Sequence, residues 1–258
     1  MRTIFQTAIR LAGAMLLLAL TTVPVAAQDE AYVRVVHASP DAPNVDVWVD
    51  GERVLDDVPF TAVSDYLALP GGDHNVQVTA TGSTDAVIEA DLTLEAGASY
   101  TVAAIGMLAD ISATVLVDDR APADGQTKLR VFHASSAAPA SVDVAVSDGP
   151  VLVEGLAYPE ATGYLTIEPG TYALEVRAAG EAEAALTLDA TLEAGQNYTA
   201  IAIDGGEAGV QVIVATEAMN MPDTAMGQPA APLGAIGGVL IVLAALTGLR
   251  LAVSRARA

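Results

Sequence analysis

The chain has 258 residues, of which 52% are hydrophobic and 17% are charged, a composition typical of globular proteins. All 32 acidic residues lie between positions 29 and 223, together with only six of the 11 basic ones, so this part carries a net charge of about −26. Such a field repels nucleic acid and anionic head groups, which excludes nucleic-acid binding. The absence of cysteine excludes a disulfide framework and attachment through a lipidated cysteine.

The N-terminal segment has the parts of a secretory signal peptide. Arg2 and Arg10 flank a short polar stretch, the apolar run "LAGAMLLLAL" follows, and Val25 and Ala27 are the small residues of a cleavage site. An uncleaved membrane helix would need a longer apolar core. We therefore predict a signal peptide over residues 1–27, cut after Ala27, and export of the mature chain.

The rest of the chain contains an internal duplication. "VRVVHASPDAPNVDVWV" returns as "LRVFHASSAAPASVDVAV", "YLALPGG" as "YLTIEPG", and "TLEAGASYT" as "TLEAGQNYT", at offsets of 96 to 99 residues. Self-similarity at a fixed offset indicates repeated structural units. We predict two tandem domains, repeat 1 over residues 31–118 and repeat 2 over residues 128–216.

Each repeat has the period-two pattern of β-strands. "VDVWVD" alternates with Val45, Val47 and Val49 on one face, and "NVQVTA", "AVIEADLTL", "SYTVAAIG" and "ATVLV" follow between Gly, Pro and Asp turn signals. Six to eight short strands in about 90 residues, without a helical period, predict a two-sheet sandwich. The predicted fold class is all-β, with two tandem immunoglobulin-like β-sandwich domains.

The turns between the strands have a recognisable chemistry. "VDGE" predicts a hairpin turn, and the "EAG" segments place Gly97 and Gly195 where a positive φ is favoured. Tyr100 and Tyr198 follow these glycines by three residues, each at the start of a strand. We predict that each ring packs inward while its hydroxyl bonds the loop backbone, as in the tyrosine corner of immunoglobulin-like sandwiches.

These segments resemble a known family. The strand-loop-strand "RVVHASPDAPNVDVWVDG", the "YLALPGG" turn and the "LEAGASYTV" hairpin are similar to the bacterial domain-of-unknown-function 4397 family. Both repeats carry the resemblance, although repeat 2 has "SSAAP" in place of "SPDAP" and Ala145 in place of Trp48. The resemblance implies a secreted or surface-attached protein with tandem copies, and it implies no biochemical activity.

Each repeat places an arginine, a histidine and an aspartate on two consecutive strands. We predict a structural cluster in which Arg and Asp pair across strands while His bonds loop carbonyls. A catalytic alternative would use Ser39 or Ser135 beside the histidine, but a nucleophile elbow and a third partner are missing. We predict no catalytic residue and no enzymatic activity. The cluster residues are Arg34, His37, Asp46, Arg130, His133 and Asp143.

No metal or cofactor is predicted. The three histidines lie far apart in sequence, which excludes a zinc-binding spacing. Asp41, Asp46 and Asp50 supply oxygen ligands for calcium, but they lack the dense acidic loop with a fixed glycine that strong calcium sites show.

Trp48 is the only tryptophan in the chain. Strict alternation places it opposite the valine face, on the outside of the sheet with Asp46. There its ring is a candidate to stack on a sugar ring or a partner protein; the alternative is that it covers the sheet edge or the domain junction.

The C-terminal end has the features of a membrane anchor. The 17 uncharged residues 233–249 form a helix of about 25 Å, which extends to Val253 if Arg250 snorkels. We predict a transmembrane helix over 233–253, preceded by a linker at 217–232. The basic tip at 254–258 then lies in the cytoplasm, with both domains outside.

The pentapeptide "MPDTA" precedes this helix. Its order, followed by an apolar run and a basic tip, resembles the LPxTG sorting signals of sortase substrates, although Met replaces Leu and Ala replaces Gly. The resemblance implies that a sortase cysteine attacks the threonine carbonyl and releases the rest of the chain. Sortase processing and a retained single-pass anchor both stay open. The five residues are Met221, Pro222, Asp223, Thr224 and Ala225.

Together these features predict a non-enzymatic protein of the cell surface. Its C-terminus is anchored in the cytoplasmic membrane or cell wall, and its two extracellular sandwiches have a structural or adhesive role toward an extracellular protein or glycan. The alternatives are a carbohydrate-binding module and, less favoured, a hydrolase built on Ser39 and His37.

Overall fold

The computed structural model describes residues 30–121, 124–206, 209–217 and 240–242. The predicted signal peptide and the pentapeptide at 221–225 lie outside the described residues. The same holds for the rest of the predicted linker and anchor, apart from Glu217 and the three residues at 240–242.

The first half of the chain forms eight strands with one short 3₁₀ turn, Leu108–Asp110, before the last of them. The strands are β1 (Glu30–Ala38), β2 (Val45–Val49), β3 (Glu52–Val58), β4 (Leu67–Pro70), β5 (Gly72–Ala80), β6 (Ala86–Leu94), β7 (Ser99–Ile105) and β8 (Ser112–Asp118).

The second half repeats this series and adds a ninth strand. The strands are β9 (Thr127–Ala134), β10 (Ser141–Val146), β11 (Val151–Ala157), β12 (Leu165–Ile167), β13 (Gly170–Ala178), β14 (Ala184–Leu192), β15 (Asn197–Asp204), β16 (Val210–Thr216) and β17 (Leu240–Val242).

Each half contains two sheets, which we name inner and outer. The inner sheets have the orders β4-β1-β7-β8 and β12-β9-β15-β16-β17, and the outer sheets have the orders β3-β2-β5-β6 and β11-β10-β13-β14. The prediction of two all-β sandwich halves is confirmed. Alternate residues of the strands point into each sandwich, so that Val45, Val47 and Val49 are all buried.

The strand order differs from the immunoglobulin-like arrangement that was predicted. Immunoglobulin constant domains place their third, sixth and seventh strands in one sheet, whereas here the first strand of each half pairs in parallel with the seventh. The second, third, fifth and sixth strands form the opposite sheet. A period of two reports that a strand is half-buried, but it does not report which sheet the strand joins, so this part of the prediction was wrong.

The two inner sheets pack against each other. One cluster of buried apolar side chains combines Val36, Ala103 and Ile105 of repeat 1 with Phe132 and Ile201 of repeat 2. The inner sheets are therefore covered on both faces, by their own outer sheet and by the other repeat. This explains why all seven residues of β7 are buried, without the polar alternation of a half-exposed strand.

The predicted tyrosine corners are confirmed in both repeats. The hydroxyl of Tyr100 accepts a hydrogen bond from the backbone N–H of Glu95 at 3.0 Å, and that of Tyr198 accepts one from Glu193 at 3.1 Å. Both rings are buried in the sandwich cores. Each corner therefore fixes the turn that leads into an interior strand of its inner sheet, β7 or β15.

Replacing Tyr100 by phenylalanine is expected to lower the free energy of unfolding by about 1 kcal/mol, because the ring stays packed while one loop hydrogen bond is lost. Tyr198→Phe tests the same bond in repeat 2 and is expected to have a similar effect. Urea denaturation of both variants measures this, and an unchanged midpoint in both would contradict a stabilising corner.

The glycines of these corners adopt the conformation that was predicted. Gly97 has φ of 80° and Gly195 has φ of 77°, in the left-handed region that side chains disfavour. The N–H of Gly97 donates to the carbonyl of Glu30 at 2.9 Å. The glycine is thus tied to the start of β1.

Strand β17 lies inside the segment predicted as a membrane helix. Leu240, Ile241 and Val242 are extended and pair antiparallel with β16 through Val214, Ile213 and Val212. At these three positions the structure differs from the predicted helix, because an extended segment satisfies the open hydrogen-bonding groups along an edge strand. No helix among the residues that the structure describes is long and apolar enough to cross a membrane.

Candidate functional site

The histidines of the predicted cluster bond loop carbonyls, as predicted. His37 Nε2 donates to the carbonyl of Pro43 at 3.1 Å, and His133 Nε2 donates to that of Pro139 at 2.8 Å. Burial lowers the pKa of His37, only partly offset by the Pro43 bond. Both imidazoles therefore pin the loop between the first two strands of their repeat.

The serine beside each histidine does not form a catalytic pair with it. The backbone N–H of Ser39 donates to His37 Nδ1 at 3.4 Å, and its hydroxyl has no hydrogen-bond partner among the described residues. Ser135 donates its hydroxyl to Asp204 instead of His133. The nucleophile-to-base hydrogen bond that a hydrolase needs is absent at these described positions.

The predicted pairing of arginine with aspartate was wrong. Asp46 lies in the outer sheet, where it accepts from the N–H of Asp57 at 2.9 Å, from Thr81 at 3.1 Å and from Arg53 at 3.3 Å. Arg34 lies in the inner sheet, because β1 and β2 belong to opposite sheets. Consecutive strands of this fold are not neighbours, so their polar residues do not meet.

In repeat 2, Asp143 likewise lies in the outer sheet. Its carboxylate accepts from the N–H groups of Gly155 at 2.7 Å and Gly180 at 2.9 Å. These two bonds lower the pKa of Asp143. The aspartates of both repeats thus hold turns next to their own strand.

Arg34 crosses from repeat 1 into repeat 2. Its Nε donates to Thr101 at 2.8 Å, its Nη1 to the carbonyl of Thr216 at 2.9 Å and its Nη2 to Glu217 at 3.0 Å. The guanidinium lies over the ring of Tyr66, 5.0 Å from the ring centre. Arg34 is only 2% exposed, so this charge is satisfied inside the protein.

Arg130 makes the matching contacts in the opposite direction. Its Nε donates to Thr199 at 3.1 Å, its Nη1 to the carbonyl of Val117 at 2.9 Å and its Nη2 to Asp118. Its guanidinium lies 4.8 Å from the ring centre of Tyr164. The two arginines therefore occupy equivalent positions of a pseudo-two-fold interface.

Two carboxylates complete this arrangement, which we name the buried network. Asp118 accepts from Thr101 at 2.6 Å and from Tyr66 at 2.7 Å, while Glu217 accepts from Thr199 and Tyr164. Two guanidinium groups and two carboxylates balance in charge where water is excluded. Its members are Arg34, Tyr66, Thr101, Asp118, Arg130, Tyr164, Thr199 and Glu217.

Burial raises the pKa of Glu217 and of the two tyrosines of the buried network. Desolvation raises the pKa of Glu217, opposed by the charge of Arg34 and by hydrogen bonds from Thr199 and Tyr164. Burial also raises the pKa of Tyr66 and of Tyr164. The tyrosine hydroxyls therefore stay protonated and act as donors.

In both repeats a carboxylate holds the loop between the first two strands. The carboxylate belongs to the loop itself in repeat 1 and to a neighbouring strand, β15, in repeat 2. In repeat 1, Asp41 of the loop accepts from the N–H of Leu108 at 2.7 Å. In repeat 2, Asp204 at the end of β15 accepts from the N–H groups of Ser136 at 3.1 Å and Ala137 at 2.7 Å.

Within the described residues, no group of three or more His, Asp or Glu side chains is placed to hold a metal ion.

His74 forms an ion pair at the hairpin of repeat 1. Its Nδ1 donates to Asp50 and its Nε2 to the carbonyl of Pro70, both at 2.7 Å. Because both partners are acceptors, the imidazole must carry both protons. Burial by itself would lower the pKa of His74, but the bonds to Asp50 and Pro70 outweigh it and raise the pKa.

Stability supplied by His74 is expected to be fully present below about pH 6.5 and to be lost as the pH rises through its raised pKa. Replacing His74 by glutamine should flatten the pH dependence of the unfolding free energy above about pH 6.5, where the folded state holds this proton more tightly than the unfolded state does. Thermal unfolding of both proteins across this range measures the difference. Parallel pH profiles would contradict a protonated His74 in the folded state.

Trp48 lies on the outer face of its outer sheet, in a row of four cross-strand neighbours. Its partners in register are Arg53 on β3 and Gln77 on β5, and Gln77 faces Glu89 on β6. The indole Nε1 donates to Thr79 at 3.1 Å. We name Arg53, Trp48, Gln77 and Glu89 the Trp48 row.

The comparison with protein families identifies the chain. The family described as "Domain of unknown function (DUF4397)" matches residues 31–145 and again residues 140–228. The chain belongs to the DUF4397 family. No curated protein matches the DUF4397 chain.

Several solved structures share limited similarity with this DUF4397 chain. A family 41 carbohydrate-binding module from streptococcal virulence factors is 11% identical, with 68% of this chain and 95% of that one covered and a TM-score of 0.24. A family 26 module of Eubacterium rectale Amy13K is 10% identical, with 72% and 95% covered and a TM-score of 0.23. A putative cell adhesion protein of Bacteroides fragilis is 9% identical, with 73% and 97% covered and a TM-score of 0.18.

Sequence reasoning missed the buried network of this DUF4397 chain. The signal was present in the duplication, because "VLVD" and "VATE" both end in an acid at the end of the eighth strand of their repeat, Asp118 as the last residue of β8 and Glu217 directly after β16. Tyr66 and Tyr164 stand at matching positions in "DYLALPGG" and "GYLTIEPG". An acid, a tyrosine and an arginine that recur at matching positions of both repeats indicate that these side chains interact in the interior.

Proposed function

We propose that this DUF4397 chain is a non-enzymatic protein that is exported, held at the cell surface by its C-terminal segment, and displays two fused sandwiches as one ligand-binding unit. The buried network carries this proposal, because each arginine bonds the eighth strand of the other repeat. Repeats joined in this way hold their outer faces in fixed positions. Fixed faces are what a display or adhesion protein needs.

The use of the remaining polar groups supports a binding role over chemistry. The histidines bond loop carbonyls, and Ser135 bonds Asp204. The shared polar residues therefore build the fold. The strong negative charge keeps such a unit soluble outside the cell.

The predicted C-terminal segment supports attachment by one of two routes. A retained helix would leave the chain intact to Ala258, whereas transfer by a sortase would end it at Thr224. Mass spectrometry of the C-terminal peptide from cell-envelope fractions separates the two routes.

Surface display is testable by labelling, because the chain has no cysteine. We expect a membrane-impermeant maleimide to label Val117→Cys and Val151→Cys on intact cells, since these side chains are 66% and 44% exposed. Ala103→Cys is the matched control, because that position is fully buried between the repeats. Labelling of the exposed variants only after cell lysis would contradict surface display.

A further inference from the structure

The Trp48 row presents side chains with the chemistry of a sugar-binding site. It crosses all four strands of the outer sheet, a distance of about 14 Å at the usual strand spacing. The row offers a guanidinium, an indole ring, a carboxamide and a carboxylate side by side. Such groups donate to and accept from hydroxyl groups, while an indole ring stacks on the apolar face of a sugar.

The Trp48 ring is held in place before any ligand arrives. Its Nε1 bonds Thr79, a residue that is only 2% exposed, and the guanidinium of Arg53 lies 5.8 Å from the ring centre. Arg53 is itself bonded to Asp56 at 2.8 Å. A ring fixed in this way loses little conformational entropy on binding.

The rest of the face continues this polar surface with carboxylates and amides. Gln77 donates to Glu89 at 3.1 Å, and in the next row Asn75 donates to Asp91 at 3.2 Å. Carboxylates at the surface repel an anionic polysaccharide. The charge therefore favours a neutral chain rich in hydroxyl groups.

The equivalent row of repeat 2 lacks this chemistry. Its four members in register are Val151, Ala145, Glu175 and Thr187. No aromatic ring stands in this row. Of the two matching rows in the described residues, only the one on repeat 1 offers an aromatic platform.

We propose that the Trp48 row binds a neutral oligosaccharide, with the sugar stacked on Trp48 and its hydroxyls bonded by Gln77, Glu89 and Arg53. This inference rests on the proposed display function and names its ligand class. One chain binds one oligosaccharide through this face.

The lone tryptophan makes its own fluorescence the reporter of this site. The full-length chain in a detergent without a sugar head group is titrated with chitohexaose, maltoheptaose and cellohexaose, and with a hyaluronan hexamer as the anionic contrast. We expect at least one neutral probe to shift the emission and saturate at one site per chain, and the anionic probe to leave it unchanged. Calorimetry repeats the titration for variants without tryptophan.

Replacing Trp48 by alanine is expected to weaken binding by about tenfold or more, and Trp48→Phe should retain part of the affinity. Gln77→Ala is expected to weaken it about fivefold, the loss of one hydrogen bond. Glu175→Ala in the matching row of repeat 2 is the control and should change nothing.

Binding that is unchanged in Trp48→Ala would overturn the assignment, and so would silence toward every neutral probe. Binding of a lysine-rich peptide alone, with no glycan bound, would also overturn it and mark the face as a cation-binding surface. None of these results would change the outcome of cysteine labelling on intact cells, which tests surface display separately. Failure of labelling, with glycan binding intact, would instead refute surface display.

Discussion

Replacing Arg34 by methionine is expected to lower the free energy of unfolding by about 3 to 5 kcal/mol, the usual cost of removing one partner from a buried ion pair. Glu217, which is buried, loses its 3.0 Å partner, and the carbonyl of Thr216 loses its donor. The charge of Arg34 also opposes the raised pKa of Glu217, so the carboxyl should titrate still higher in the variant. Chemical denaturation at pH 7 measures the loss.

Two variants control this prediction. Arg53→Met removes an arginine that is 45% exposed and paired with Asp46 and Asp56, and it should cost less than about 1 kcal/mol. Arg130→Met removes the pseudo-equivalent group and should match Arg34→Met. Equal effects of the Arg34 and Arg53 substitutions would show that the network contributes no more than a surface pair.

Removing both partners separates the cost of an unpaired charge from the value of the pair. In the double variant Arg34→Met, Glu217→Met, one guanidinium and one carboxylate remain, those of Arg130 and Asp118, and they still bond each other. We expect the double variant to be more stable than Arg34→Met alone. Additive losses would indicate that the two side chains are not coupled.

The features that depend on neighbouring residues were predictable from the sequence. The alternation of Val45, Val47 and Val49 fixes which face of β2 is buried, whatever the strand pairs with. The corner of Tyr100 joins two residues only five positions apart, so its geometry follows from the local turn. Such features need no knowledge of how the sheets are ordered.

The partners of the arginines were not predictable in this way. Arg34 bonds Thr216 across 182 residues, and this contact exists only because the inner sheets of the two repeats meet. Single-sequence patterns report burial, and both a core strand and an interface strand satisfy them. The parallel pairing of β1 with β7 likewise depends on the chain crossing between sheets.

The repeat itself supplies the information that local patterns lack. Arg34 and Arg130, or Asp118 and Glu217, stand at equivalent places in two copies of the fold. Polar residues that both copies retain at the end of a buried strand indicate contacts between the copies. Trp48 is present in one copy only, which indicates a role other than stabilising the fold. This contrast separates the buried network from the Trp48 row as candidates for structure and for binding.

Replacing Phe132 by alanine is expected to lower the free energy of unfolding by about 3 to 5 kcal/mol, because a fully buried ring leaves a cavity between the inner sheets. The cluster around Phe132 includes Val36 and Ile105 of repeat 1, so the cavity weakens both halves together. Differential scanning calorimetry should therefore show one transition that moves as a whole.

Val117→Ala is the control for this substitution, since that side chain is 66% exposed and should cost within about 0.5 kcal/mol. Two separate transitions, of which Phe132→Ala moves only one, would show that the repeats fold independently and that their contact adds little. A single transition shifted by the expected amount would show that the two repeats unfold as one cooperative unit. The reason is that neither repeat buries its inner sheet on both faces without the other.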